Sequence, residues 1–302
     1  AIQIAVAGRH NILLSGPPGS GKTMLAKSLK NLLPALSEDE IVEVTKLHSL
    51  GEHTIINNPI IDRPFRSPHH TASRASIIGG GSKVQPGEIS LAHRGVLFLD
   101  ELLEYPRTVL ESLRQPLEDH EITVSRANGK FNFPANFLLV ATMNPCPCGF
   151  LGDPEKTCIC SQNQILNYQK RLSGPLLDRI DLTVSVSRVP HEKLLNNKMS
   201  TKSQQETFLS EIHKAYSIQR DRYKCSYKYN NDIPSSNVDK ITSISESAKT
   251  FLTNAARKLD LSTRSYFKVI KVSRTIADLE GSTSIEIPHI AESLQYRQIN
   301  IG

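Results

Sequence analysis

The stretch Gly16-Pro17-Pro18-Gly19-Ser20-Gly21-Lys22-Thr23 fits the spacing G-x-x-x-x-G-K-[ST]. Glycines at such positions let the backbone wrap closely around phosphate oxygens, and the amides at a helix start add fixed positive potential. Lys22 would reach the β- and γ-phosphates of a nucleoside triphosphate, and Thr23 would offer its hydroxyl to Mg2+. A second cluster, Val96-Leu97-Phe98-Leu99-Asp100-Glu101, is an apolar run ending in two carboxylates. There Asp100 would hold Mg2+, mostly through its water shell. Glu101 would orient or deprotonate the attacking water. Ala141-Thr142-Met143-Asn144 ends another apolar run with an amide, which would place Asn144 near the γ-phosphate or that water. Taken singly, two acids at a strand end or an Asn before Pro145 are ordinary surface and turn residues. Their occurrence together with the glycine-rich loop points to ATP hydrolysis.

The cysteines form a separate pattern. Cys146-Pro147-Cys148 and Cys158-Ile159-Cys160 are two C-x-C pairs separated by nine residues, and Cys225 is left over. Four thiolates from two close pairs would close a tetrahedral Zn2+ site, although the spacing is tighter than the usual C-x2–4-C. Reduced unliganded thiols and redox chemistry stay open as alternatives. His69 and His70 have no carboxylate or cysteine at metal-ligand spacing, so a structural or inter-subunit role is expected for them.

These residues need a scaffold, and the chain alternates strand-like and helix-like segments through its first 190 residues. Residues 11–15, 96–99 and 137–141 read as buried strands, and 180–186 as a half-buried one. Met24 to Leu33 and Thr108 to Leu117 read as helices. Residues 63–90, rich in Pro, Gly and His, interrupt the pattern, and 121–136 reads as a hairpin turning at Asn128-Gly129. After Pro190 only helical patterns remain: 191–224, Ser245 to Leu259, Arg264 to Leu279 and Ile287 to Tyr296. The expected fold is therefore α/β, a three-layer P-loop core with a parallel sheet over residues 1–190. A linker helix and a small all-α domain follow over 191–302.

With 302 residues, 38% apolar and 22% charged, the chain is long and apolar enough for a sizeable core, which excludes global disorder. No apolar run approaches the ~20 residues of a membrane helix, and no signal peptide opens the chain, so a cytoplasmic location is expected. The chain starts without Met inside an apolar-periodic stretch, as an excised fragment would. The net charge of +6 lies mostly in the second part: residues 1–188 hold 19 basic and 18 acidic residues, residues 189–302 hold 17 and 12. That excess permits nucleic-acid binding without demonstrating it. Aromatics are 6% with no Trp, so no stacking platform for single strands is legible.

The motifs above resemble those of the magnesium-chelatase-like AAA+ ATPases, in the bacterial YifB/ComM branch. So do Phe65-Arg66-Ser67-Pro68-His69-His70-Thr71-Ala72-Ser73, the block from Pro86 to Gly95, and Gly174-Pro175-Leu176-Leu177-Asp178-Arg179-Ile180-Asp181-Leu182. The resemblance covers essentially the whole chain. It implies that Asn144 is sensor 1, that Arg179 is an arginine finger reaching a neighbouring subunit's ATP, and that Arg264 is sensor 2, with Arg274 the runner-up. It further implies self-association into a ring, a hexamer by analogy. An N-terminal Lon-protease-like domain usual in the branch is absent from this sequence, and C-x-C pairs recur there. The inserts at 67–90 and 121–136 are similar to the helix-2 insert and pre-sensor hairpin of the clade, which would put Arg126 and Lys130 beside nucleic acid.

Three functions follow from the resemblance. The favoured one is an ATP-driven ring motor on DNA, a helicase or branch-migration factor in recombination or competence. The alternatives are a chelatase-type ATPase subunit and a protein-remodelling ATPase. The C-x-C pairs and the Pro-His-His-Thr block weigh toward the first.

Overall fold

The computed structural model describes residues 1–51, 58–81, 84–126, 129–188, 201–224 and 228–297, without the side chains of 126, 201–204 and 240. Cys225 and Asn128 lie outside the described residues. Two compact units emerge. One joins Leu13–Arg179 with Ser185–Arg188; the other joins Ala1–Ile12 and Ile180–Val184 with the C-terminal helices.

A five-stranded parallel sheet is built from β1 (Ile12–Ser15), β2 (Phe65–Arg66), β5 (Val96–Leu99), β8 (Leu138–Met143) and β9 (Leu182–Ser185), in the order β2-β5-β8-β1-β9. Parallel register is set by Phe65 opposite Val96, Val96 opposite Leu138 and Leu99 opposite Ala141. Strands β5 and β8 are buried along their whole length, as their unbroken apolar runs require when both sheet faces are covered. Two small antiparallel pairs interrupt the α/β order. They are β3 (Gly79–Gly80) with β4 (Gln85–Pro86), and β6 (Glu121–Arg126) with β7 (Gly129–Pro134). The expected 121–136 hairpin is thus present, with Ile122 opposite Phe133.

The helices depart from the sequence reading in ways that local chemistry explains. Thr108 to Leu117 is not one helix. Arg107–Ser112 stops, and Pro116–Asp119 starts afresh with Pro at its first turn, where the missing N–H costs nothing. The helix after the glycine-rich loop runs Lys22–Ser28 and tightens into a 3-10 turn over Leu29–Leu32. Glu38–Gly51 is a helix that periodicity did not single out. Its signal was the capping box in which Ser37 Oγ accepts from Glu40 N at 3.4 Å and Glu40 Oε2 accepts from Ser37 N at 3.1 Å.

The second unit is helical. Thr201–Tyr223, Glu246–Lys258, Thr263–Glu280 and Ile287–Gln295 surround a core that includes Ile233, Leu252, Val269, Ile270, Ile285 and Ile290. Ser245 and Ser262 cap the second and third by accepting backbone N–H bonds, and left-handed Gly281 ends the third. The apolar helix Ile2–Gly8 belongs here too: Tyr216 Oη donates to Val6 O at 3.0 Å and Gln219 Nε2 to Ala7 O at 2.9 Å. Lys268 pairs with buried Asp181, whose Oδ2 also accepts from Asn11 N at 2.7 Å. No helix among the described residues is long and apolar enough to cross a membrane.

Candidate active site

Strand β1 delivers the chain into the glycine-rich loop. Gly16 N donates to Met143 O at 3.2 Å, which pins the loop to the end of β8. A Cβ at Gly16 would lie 2.1 Å from Val186 O, so only glycine fits there. Lys22 is buried, and its Nζ donates to Gly16 O at 2.6 Å and Pro17 O at 2.8 Å, with Asn144 Oδ1 at 3.4 Å. Burial pulls the ammonium below the ordinary lysine range, while Asp100 and Glu101 push it back up. The sequence-predicted cation and amide therefore meet in space across 122 residues.

The carboxylates stand at the end of β5 beside them. Thr23 Oγ1 donates to Asp100 Oδ2 at 3.1 Å, so two hard oxygen ligands converge. That pairing suits Mg2+, which prefers oxygen donors and keeps much of its water. Glu101 is half-exposed at the strand end, with left-handed backbone at φ 52°. Sequence reasoning did not assign a role to Thr142. Its buried hydroxyl donates to Asp100 Oδ1 and accepts from Glu101 N at 3.1 Å, so one side chain on β8 fixes the Asp100 carboxylate and the Glu101 backbone. The signal was a threonine in an otherwise apolar strand.

His70 reaches the acids from another loop. No carboxylate lies near it in sequence, but the loop after β2 carries its Nδ1 to 3.7 Å from Glu101 Oε2. Tyr105 Oη donates to Pro68 O at 2.5 Å and holds that loop. Burial, then the charges of Asp100 and Glu101, raise the Tyr105 hydroxyl well above its ordinary range, so it remains a donor.

Arg179 follows the short helix Gly174–Leu177. Its guanidinium pairs with Glu118 and donates to Arg114 O at 3.0 Å and Pro175 O at 2.7 Å. Arg264 lies in the helical unit, in the first turn of Thr263–Glu280. Arg274 is buried in the same helix against Asp278, Ser282 O and Thr283 O. Lys130 is exposed on β7, and the side chain of Arg126 lies outside the described residues.

The four cysteines of the two C-x-C pairs converge. Cys146 Sγ lies 3.4 Å from Cys148 Sγ and 3.7 Å from Cys158 Sγ, and Cys148 Sγ lies 3.6 Å from Cys158 Sγ. Cys160 Sγ accepts from Cys148 N at 3.4 Å, and all four sulfurs fall within 4.8 Å of one another. None is in a disulfide. A tetrahedral ion with Zn–S bonds of 2.3 Å has S···S edges of about 3.8 Å, so the cluster has the dimensions and the donor set for one metal.

Residues 1–194 match the family model described as magnesium chelatase, subunit ChlI, and residues 200–297 match that of the subunit's C-terminal part. The chain is 46% identical over 298 residues to competence protein ComM of Haemophilus influenzae, covering 98% of this chain and 57% of that protein. It is 40% identical over 300 residues to the uncharacterized protein YifB of Salmonella typhimurium, covering 99% and 58%. Similarity to the magnesium-chelatase subunit ChlI of Bigelowiella natans is 26% over 156 residues, 44% of this chain and 43% of that protein. The chain thus spans a little under three fifths of the length of ComM and YifB.

Proposed function

Because the chain belongs to the magnesium-chelatase ChlI family of AAA+ proteins, in its ComM/YifB branch, we propose that it is an ATP-hydrolysing ring motor acting on DNA as a helicase or branch-migration factor. The observation that carries the ATPase reading is the convergence of Lys22, Thr23, Asp100, Glu101 and Asn144 at the ends of neighbouring strands. Its roles follow from their chemistry. The loop Gly16 to Gly21 wraps the phosphates, and Lys22 and Asn144 contact the terminal one. Thr23 and Asp100 would hold Mg2+, which would supply positive charge against the phosphates. Glu101 takes a proton from the attacking water or orients it, with Thr142 fixing its backbone. Arg179 acts in trans between subunits of a hexameric ring, and Arg264 serves as sensor 2. On this reading residues 1–190 form the motor core and 191–302 the linker helix and lid, and the protein works in the cytoplasm.

The DNA client is supported by the likeness to a competence protein and by the basic excess of the C-terminal part. The cysteine cluster holds a structural Zn2+, the ion that four sulfurs at these separations suit best. ATP turnover measured without DNA, with single-stranded DNA and with a branched junction tests the client. Stimulation by DNA, with strand separation of the junction, is expected. Turnover that ignores every DNA would leave the chelatase-type and protein-remodelling readings.

A further inference from the structure

The cysteine cluster and the glycine-rich loop are built against each other within one compact unit. Strand β8 ends at Met143, Asn144 follows, and Cys146 comes two residues later. Gln169 Nε2 donates to Pro145 O at 3.0 Å and fixes the step between them. The chain then folds back over the phosphate loop. A Cβ at Gly149 would lie 2.7 Å from Pro18 Cδ, and Gly149 has φ 85°, so the close approach needs glycine for space and for conformation.

A second tie comes from Arg188. Its Nη2 donates to Pro18 O at 3.2 Å, and its Nη1 donates to Glu155 Oε2 at 3.3 Å. Its Nε lies 3.1 Å from Asp153 Oδ2, and the guanidinium sits 5.6 Å over the Phe150 ring. The Asp153 side chain is fully buried, and its Oδ1 accepts from Glu155 N at 2.8 Å and Lys156 N at 3.1 Å. That turn returns the chain to Cys158. One arginine therefore joins the middle of the cysteine loop to a backbone carbonyl of the phosphate loop.

Residues 146–160 contain no helix or strand. Irregular loops of that length are uncommon inside a compact unit and are usually functional, and in this one the four sulfurs of its two ends converge. We propose that metal bound by Cys146, Cys148, Cys158 and Cys160 is a strut for the nucleotide site. It holds the 146–160 loop against Pro18 and sets the chain just beyond Asn144, so metal loading and nucleotide affinity are positively coupled. The inference rests on reading the cluster as a zinc site and the loop at 16–23 as a nucleotide site. Coupling of this kind is reciprocal, so nucleotide must retain the metal by the factor with which the metal tightens the nucleotide.

The test uses the chain as purified. Zinc is counted by elemental analysis, and its release to a chelator is followed with a metallochromic dye. ADP affinity is measured with a fluorescent ADP in loaded, stripped and zinc-reloaded protein. Stripping is expected to weaken ADP about 10-fold, within the range of typical coupling between sites. Reloading should restore it, and saturating ADP should raise the zinc affinity, read at equilibrium against a competing chelator, by the same factor. Arg188→Ala keeps all four sulfurs. It should retain zinc, bind ADP several-fold more weakly and respond less to stripping, even if stripped parent protein unfolds. Unchanged ADP affinity on stripping and in zinc-loaded Arg188→Ala would overturn the strut while leaving the zinc site standing. Protein that neither carries nor takes up zinc would overturn the zinc reading itself. Zinc-loaded protein that binds no ADP would overturn the nucleotide reading.

Discussion

His70 Nδ1 stands 3.7 Å from Glu101 Oε2, which puts a ring nitrogen from the loop after β2 beside the carboxylate at the end of β5. The ring is itself held. It stacks on His69 at 4.1 Å between centroids and meets Tyr105 edge-on at 6.3 Å, while Tyr105 Oη bonds Pro68 O. Glu101 is half-exposed and would otherwise sample several rotamers. His70 is thus placed to hold one of them.

His70→Ala should slow ATP turnover about 10-fold, a loss near 1.4 kcal/mol of transition-state stabilisation, and leave ATP affinity within a factor of two to three. Steady-state turnover set beside equilibrium binding checks this. A parallel loss of affinity, or unchanged turnover, would assign His70 to loop structure alone.

Lys22 and Glu101 should separate binding from chemistry. Lys22 Nζ contacts carbonyls of the phosphate loop, so Lys22→Ala should keep the fold and bind ATP at least 10-fold more weakly. Glu101→Gln preserves the Thr23–Asp100 pair and should bind ATP like the parent, yet turn it over about 100-fold or more slowly. Equal turnover in Glu101→Gln and the parent would remove Glu101 from the reaction.

His10 sets an acid limit on the helical unit. It is fully buried; its Nε2 lies 2.7 Å from Thr275 Oγ1, and its Nδ1 has no hydrogen-bond partner among the described residues. Burial lowers its pKa from 6.5 to about 4, opposed by Asp181 and assisted by Lys271 and Lys268. The folded state therefore stays neutral while the unfolded chain takes up a proton. Stability falls as pH drops from 6.5 to 4, by about 1.4 kcal/mol per unit and of order 3 kcal/mol in total. Asp181, held below its usual value mainly by Lys268 against the cost of burial, acts only beneath that window. Lys268, lowered to about 8, acts above it. Urea unfolding at several pH values should show this slope in the parent and a flatter one in His10→Gln. An unchanged slope in the variant would move the acid limit elsewhere.

The parts of the site that were legible in the sequence are those where chemistry forces spacing. A phosphate loop must be contiguous, so residues 16–23 announced themselves, and the acids had to end a buried strand. Thr142, Tyr105 and His70 were not assigned to the site because each acts across the sheet, and parallel neighbours such as β5 and β8 are about 40 residues apart in sequence. Asp153, Gly149 and Arg188 were equally silent, since their meaning depends on where Pro18 lies. In the fold, the strands emerged from their apolar runs. The helix Ile2–Gly8 was missed because a short apolar stretch does not distinguish strand from buried helix.

Arg179 decides whether the active site is shared. Its side chain is only 12% exposed and is clasped by Glu118, Arg114 O and Pro175 O, so the guanidinium is oriented before any neighbour arrives. Such preorganisation suits a group whose contact forms in the transition state, and fingers of this kind are worth about 10³–10⁵ in rate. Arg179→Ala should therefore bind ATP nearly as the parent does and hydrolyse it about 10³-fold more slowly. Glu118→Gln leaves the arginine but loosens its clasp, and should fall between the two. Parent activity per chain should rise with concentration as neighbours meet. Mixing Arg179→Ala with Lys22→Ala in equal amounts pairs an intact Lys22 with an intact Arg179 at about one interface in four, if head-to-tail rings assemble at random. About a quarter of parental activity should return, although neither variant hydrolyses ATP well alone. Absence of rescue at concentrations where rings form would leave Arg179 acting on the nucleotide of its own chain, or not at all. The Glu118→Gln result separates those two outcomes, since a purely structural ion pair would lower the unfolding temperature and leave turnover per folded chain unchanged.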